Sequence, residues 1–458
     1  MQSLRFLIPL AFVTLAHAAE PPKGFTALFN GKDLTGWYGW GTKDPTELWK
    51  MTPEQLADYK KKSLEDIHQH WRVENGELVN DGKGLYLTTD KNYRDFELSL
   101  EYKALPDGDS GVYLRGIPQV QIWDSTKGDP RGLGQDKGSG GLWNNSKGAP
   151  GKDPSKKMDK PFGEWNQFKI RMIGERVTVI FNGETVVDNA VLENFFANKK
   201  AGYLAYGKQD PKAAQPAAAD PNEIRDPAFA KGPIQLQTHG SEIRWRNVFI
   251  HEIPAEEANK ALAADGDAGF TRLDNGRDLS NWTNAVENYE VVDGAIQCKT
   301  GKGGDLLSKE EYGDCVIRFE FKLPPAGNNG IALRSPLGGH SAADGLEIQV
   351  LDSDGYNAAH PAAPLKPAQY HGSVYYCVPA KHGFLRPVGE WNFEEIEMRG
   401  QHIKVTLNGT RILEADLDKV DRSKLPKVPK GLDAKSGHIG FAGHNDPVAF
   451  RNFRVKRL

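Results

Sequence analysis

Residues 24–37 (GFTALFNGKDLTGW) return as residues 269–282 (GFTRLDNGRDLSNW), about halfway along the 458-residue chain. Self-similarity at this spacing makes the chain a tandem duplication, so one fold has to satisfy both copies. The copies then stay in step. Residues 71–79 answer to 289–298, 96–102 to 316–322, the GEWN of 163–166 to that of 389–392, and 234–248 to 439–453. Asn75-Gly76, Asp293-Gly294, Asn182-Gly183 and Asn408-Gly409 punctuate alternating apolar stretches, which is the strongest short-range hairpin signal. Many short alternating strands with Gly/Asn turns between them predict an all-β protein of two tandem jelly-roll sandwiches.

Two stretches break the parallel. Residues 38–70 are inserted in the first copy, and 52–67 have helical composition, with Thr52 as N-cap and Pro53 in the first helical position. The first sandwich therefore carries a short helical insertion. The second copy is longer over 353–383, and 208–231 of the first is an Ala/Pro/Asp loop. The expected boundaries are 24–253 and 269–458 for the two sandwiches, with 254–268 as a linker that includes room for a short helix.

Arg5 followed by the apolar run 6–15 and the small-x-small triplet Ala16-His17-Ala18 reads as a signal peptide, 1–18, and predicts export to the periplasm or the extracellular space. No later run is apolar for long enough to span a bilayer. A formal net charge of −3, with neither sign clustered, gives no case for nucleic acid and favours a neutral partner. Cys298, Cys315 and Cys377 allow at most one disulfide, and a Cys298–Cys315 bridge and buried thiols both remain open. Oligomeric state is not specified by any of these features.

The chemistry is written on one strand pair that occurs twice, in 109–124 (DSGVYLRGIPQVQIWD) and 328–352 (NNGIALRSPLGGHSAADGLEIQVLD). Period-2 alternation puts Tyr113 with Arg115, Gln119 with Gln121 and Glu347 with Gln349 on a polar face. Val112, Leu114, Val120 and Ile122, and in the second copy Ile331, Leu333, Ile348 and Val350, face a core. His239 shares its alternation with Gln235 and Gln237, and His444 stands at the matching position beside Ala442. Asp124 and Asp352 fall at strand ends, where a carboxylate holds a turn.

These motifs together (FTALFNGKDLTGW, SGVYLRG/NGIALRS, VQIWD/EIQVLD, GEWN, the NG hairpins and the closing LQTHG…RWRNV/FAGHN…FRNF) resemble the 3-keto-disaccharide hydrolase domain family across nearly the whole chain after residue 24. The resemblance implies two concanavalin A-like lectin/glucanase sandwiches with a concave substrate face, and cleavage of 3-keto-glycosides by hydrolysis or elimination. A ketone at carbon 3 acidifies the carbon 2 proton, and the enolate then expels the glycosidic oxygen. Such chemistry needs a base, a group that stabilises the enolate, and an acid for the leaving group.

On that basis Glu347, His444, Arg334, His371, His239 and Arg115 are the catalytic candidates. Gln349, Tyr375, Gln119, Gln121, Gln237, Tyr113, Trp40 and Trp143 are candidates for holding sugar. Glu347 and His444 are also the candidate ligands of a divalent metal ion. Gln119 stands where Glu347 stands in the second copy and cannot act as a base, so the second domain is expected to carry the more complete site. The alternative function is a tandem carbohydrate-binding protein that cleaves nothing.

Overall fold

The computed structural model describes residues 19–130, 132–202 and 224–458. The signal-peptide expectation for 1–18 and most of the 208–231 loop lie outside the described residues. Each copy folds into two antiparallel sheets packed face to face. In the first copy the larger sheet includes Phe96–Ala104, Asn166–Ile173 and Ile243–Glu252, and the smaller sheet runs Trp37–Trp40, Tyr86–Thr89, Gln235–Leu236, Asp109–Leu114, Ile117–Trp123. The second copy repeats this order, its smaller sheet running Trp282–Thr283, Gly303–Tyr312, Gly437–His444, Asn328–Ser335, Leu346–Leu351. All four Asn-Gly or Asp-Gly turns have positive φ at both central residues, as a hairpin turn matched to right-handed strand twist requires.

The alternation sorts the core correctly. Val112, Leu114, Val120, Ile122, Ile331, Leu333, Ile348 and Val350 are all at most 1% exposed, each burial contributing about 1.5–3 kcal/mol. The inserted helix is Pro53–His70, and Thr52 caps it: its Oγ accepts from Gln55 N, and the Gln55 side chain answers at the Thr52 N–H. The three cysteines are free thiols. Trp37 and Trp282 are buried. Trp165 and Trp391 of the repeated GEWN motif are half-buried, Trp165 just before its strand and Trp391 at the start of its own, and Arg246 and Arg451 stack on them at 4.0 and 3.9 Å.

The segment between the sandwiches contains the helix Ala255–Ala264, which is wedged between them with Ala258 and Asn259 buried. Asn259 Nδ2 donates to Glu320 Oε2 and to the Trp391 carbonyl, both at 3.2 Å. Beside it, buried Asp95 joins the two domains. Its Oδ1 accepts from Arg115 Nη2 and from Gly174 N, each at 3.0 Å, and its Oδ2 lies 3.4 Å from Arg386 Nη2 of the second copy. The hairpins at Gly174 and Gly409 cross so closely that a Cβ on Gly174 would overlap the Gly409 backbone.

Arg115 is thereby removed from the site expected for it. The strand pair bulges after Val112, and Arg115 takes a φ of +54°, which turns its side chain off the polar face into the domain junction. There Nη1 donates to the carbonyls of Gly174 (2.6 Å) and Phe229 (2.9 Å). Burial pulls the guanidinium down to about 10, against the attraction of Asp95. Arg334 makes the same excursion at φ +49°, with its guanidinium bonded to Gln401 Oε1 and to the carbonyls of Gly431 and Gly400. Both arginines are structural anchors.

Asp95→Asn leaves two buried guanidiniums without their countercharge and is expected to cost about 3–5 kcal/mol, seen as a lower urea midpoint of the full chain. An unchanged midpoint would show that the junction is held elsewhere.

Candidate functional site

Directly paired residues share a sheet face, so the register builds the outer face of each smaller sheet. In the second copy Ala332 pairs with Glu347 and with Gly440, Gly330 with Gln349, and Ala442 with Asp305. The floor is therefore made of small residues, from which Glu347, Gln349 and His444 rise. Loops cover this face: Ser341 N and Oγ bond Asp305 Oδ2 at 2.8 and 2.5 Å, and Tyr375 N donates to the Glu347 carbonyl at 2.9 Å. As a result Glu347 and Gln349 are 2% and 3% exposed, although they lie on the polar alternation.

Glu347 folds back across Gly330, where an added Cβ would meet its Cγ at 2.6 Å. Its Oε1 lies 3.8 Å from His444 Nε2, while Oε2 is buried without a hydrogen-bond partner. A buried carboxylate oxygen that no protein group satisfies is costly unless a ligand uses it. Glu347 raises the affinity of His444 for its proton above the ordinary histidine value, in opposition to partial burial. Gln349 Nε2 donates to Asn328 Oδ1 at 2.7 Å. Tyr375, packed on Tyr376 with centroids 4.2 Å apart, has its hydroxyl pushed up to about 12 mainly by burial.

His371 is not part of this face. Its ring turns inward against Phe321 and places Nε2 3.0 Å from Glu394 Oε2, a buried pair on the core side of the larger sheet, while Nδ1 receives the Leu351 N–H at 3.4 Å. The loop 353–383 sets that direction, and no period in the sequence encodes it. Glu347 and His444 supply two ligands, and no group of three His, Cys, Asp or Glu that could hold an ion occurs among the described residues.

The first copy builds the same face differently. Tyr113 and Gln235 stand where the second copy has Ala332 and Gly440, so side chains fill the floor. Tyr113, buried, shares Thr42 Oγ1 with Tyr86, each contact 2.9 Å, and burial pushes its hydroxyl up. Gln119 lies across Gly111 as Glu347 does across Gly330, and its amide donates to Gln121 Oε1. Gln121 Nε2 donates to Asp109 Oδ1 at 2.9 Å, and Asp109 Oδ2 is 2.8 Å from His239 Nδ1. Gln237 and Trp143 line the pocket above this network; Trp40 does not. Trp40 is 2% exposed, packed with Tyr38, Leu48 and Tyr59 under the inserted helix, because its strand continues into the insertion's own small core. Asp109 is a polar-face residue that the sequence analysis passed over, although its alternation with Gly111 and Tyr113 was the signal. Asp124 and Asp352 hold turns, accepting from the Thr126 and Gly355 amides at 2.9 and 3.1 Å.

The sequence profile of the 3-keto-alpha-glucoside-1,2-lyase-like domain matches residues 24–251 and 269–456. The chain belongs to this family, twice over. A 3-keto-disaccharide hydrolase of Bacteroides thetaiotaomicron is 24% identical over 249 residues, 50% of this chain and 78% of that one. Among solved structures, a "putative glycosyl hydrolase" of Parabacteroides distasonis is 27% identical, matching 41% of this chain and 99% of its own, with a TM-score of 0.37. A Bacillus subtilis carbohydrate-binding module, CBM66, is 13% identical over 41% of this chain and 95% of its own, with a TM-score of 0.24.

Two outcomes check this geometry. Glu347→Gln should return the His444 titration, followed by ring-proton NMR, toward about 6.5, and no downward movement would mean that the two side chains do not interact. Gly330→Ala should displace the carboxylate and likewise return the His444 titration toward the ordinary histidine value in the same NMR experiment.

Proposed function

We propose that the second domain cleaves 3-keto-glycosides, with Glu347 as base and the His444 imidazolium as acid. The observation that carries this reading is the Glu347 carboxylate: buried on a floor of small residues, one oxygen beside a histidine and the other without a partner. Family membership supports it, as does the name of the Bacteroides relative.

In the proposed reaction Glu347 Oε2 takes the proton from carbon 2, and the electron pair of that C–H bond forms an enolate with the carbon 3 ketone. The enolate collapses by breaking the bond from carbon 1 to the glycosidic oxygen, which takes its proton from His444. The products are the free aglycone and a 2-hydroxy-3-keto-glycal. Addition of water to the glycal completes a net hydrolysis. In this reading Gln349 and Asn328, bonded to each other at 2.7 Å, hold sugar hydroxyls, and no second carboxylate in the manner of ordinary glycosidases is required.

The histidine's raised proton affinity fixes the sign of the pH dependence. Glu347 stabilises the imidazolium, so the acid is present below its raised pKa and lost as pH rises through it. kcat/KM is expected to fall on the alkaline side with a midpoint above about 6.5, and an alkaline limb at or below that value would rule His444 out as the acid.

The direct test is to incubate the mature chain with a 3-keto-glucoside and its unoxidised parent in deuterated water, following products by NMR. Release from the keto sugar alone, with a keto-glycal or deuterium at carbon 2, is expected, and Glu347→Gln should lower the rate by about 10²–10⁴-fold. Binding of both sugars with cleavage of neither would instead make the protein a lectin. Export belongs to the same proposal, because residues 1–18 read as a signal peptide. N-terminal sequencing of the secreted protein should begin at Ala19, and an intact cytoplasmic chain would remove that part.

A further inference from the structure

The first domain carries a pocket of about 310 Å³ on the outer face of its smaller sheet, lined among others by Tyr86, Asp109, Trp123, Trp143, Asn144 and Gln237. That is roughly ten water volumes, room for about one pyranose ring. Two of its polar side chains are more than nine-tenths buried and carry acceptor oxygens with no hydrogen-bond partner, Gln237 Oε1 and Asn144 Oδ1. Buried acceptors left in this state disfavour folding unless a ligand supplies the donors. The missing partner is therefore a donor-rich molecule, and hydroxyl groups are the simplest donors of that kind.

The walls point to the same chemistry. The Trp123 and Trp143 rings meet edge to face with centroids 6.0 Å apart, and Trp143 is fixed by the bond from its Nε1 to the Leu133 carbonyl at 3.2 Å. Trp143 is half-buried, and an aromatic face beside hydroxyl-seeking amides suits the C–H face of a sugar ring. Among the described residues lining the pocket, the ionisable pair Asp109 and His239 face each other. Asp109 has both oxygens engaged, Oδ1 by Gln121 and Oδ2 by His239, and Lys152 Nζ is bonded to the Trp143 carbonyl at 2.8 Å.

The contrast with the second domain separates binding from cleavage. The histidine stands at the same place in the repeat in both copies, ending a strand only in the second, but the carboxylate has moved. Glu347 is replaced by Gln119, and the acid reappears as Asp109, where the second copy has Asn328. Glu347 keeps one unpartnered oxygen, whereas Asp109 keeps none and serves to orient Gln121 and His239. We propose that the first domain's pocket is a second saccharide site that binds one neutral pyranose through Gln237, Asn144 and Trp143, and does not cleave it. This inference stands apart from the reading of the second domain.

The experiment uses the full mature chain, with methyl α- and β-D-glucopyranoside, methyl β-D-galactopyranoside and D-glucuronate as probes. Binding is followed by saturation-transfer NMR and calorimetry, in the parent chain and in Trp143→Ala, Trp143→Phe, Gln237→Leu and Glu347→Gln. Saturable binding of at least one neutral glycoside is expected, weakened tenfold or more by Trp143→Ala and Gln237→Leu. Trp143→Phe should largely retain it, and Glu347→Gln should leave it intact. Circular dichroism melts identify any variant that fails to fold, and the Phe variant keeps the test open in that case. No saturable binding of any neutral probe would overturn the proposal, as would preference for glucuronate, or binding that survives Trp143→Ala but is lost in Glu347→Gln. A chain that binds the neutral glycosides yet leaves 3-keto-glucosides intact would sink the cleavage reading alone.

Discussion

Asp95 is held between two guanidiniums that belong to different copies of the repeat, Arg115 of the first and Arg386 of the second. All three are at most 5% exposed, so removing any one would leave a buried charge without its partner. The cluster also fixes the Gly174 hairpin, and with it the crossing at Gly409 and the seat of the Ala255–Ala264 helix. Arg386 donates to the carbonyls of Trp391 and Ala255, which ties the second sandwich to the connecting helix. Arg94, donating to the Leu385 carbonyl, and Glu175, accepting from Arg411 N, bridge the same junction.

Duplication followed by divergence is visible in what stands on the two smaller sheets. The strands, turns and closing histidines are the same, but the floor differs. Ala332 and Gly440 put no long side chain on the second sheet, and Glu347 pairs with Ala332 beside them. Tyr113 and Gln235 occupy the matching positions in the first, where a pocket lies beside the Trp143 loop. Changing a few side chains on a fixed register therefore alters the chemistry of the face without altering the fold, because the opposite alternation, which carries the core, is untouched.

A carboxylate's usefulness on such a face depends on how many of its lone pairs the protein already satisfies. Asp109 is spent on Gln121 and His239, whereas Glu347 retains one oxygen. The same residue types at neighbouring positions thus give a fully bonded carboxylate in one copy and one with an unpartnered oxygen in the other.

The sequence by itself determined the duplication, the all-β class, the inserted helix and the face on which each strand residue lies, because those follow from periods of two and 3.6 and from Gly/Asn turns, all local properties of the chain. It also put Glu347, Gln349, His444, Gln119, Gln121, Gln237 and His239 on the polar face. Tertiary structure alone decided which of them are buried, since loops distant in sequence cover that face. It alone took Arg115 and Arg334 away, through a bulge at which alternation stops being a guide. His371 found its partner Glu394 across the sandwich, and Trp40 found its neighbours in the insertion, by packing that no local pattern records. Strand periodicity fixes direction to one side or the other, but only the folded chain fixes what waits there.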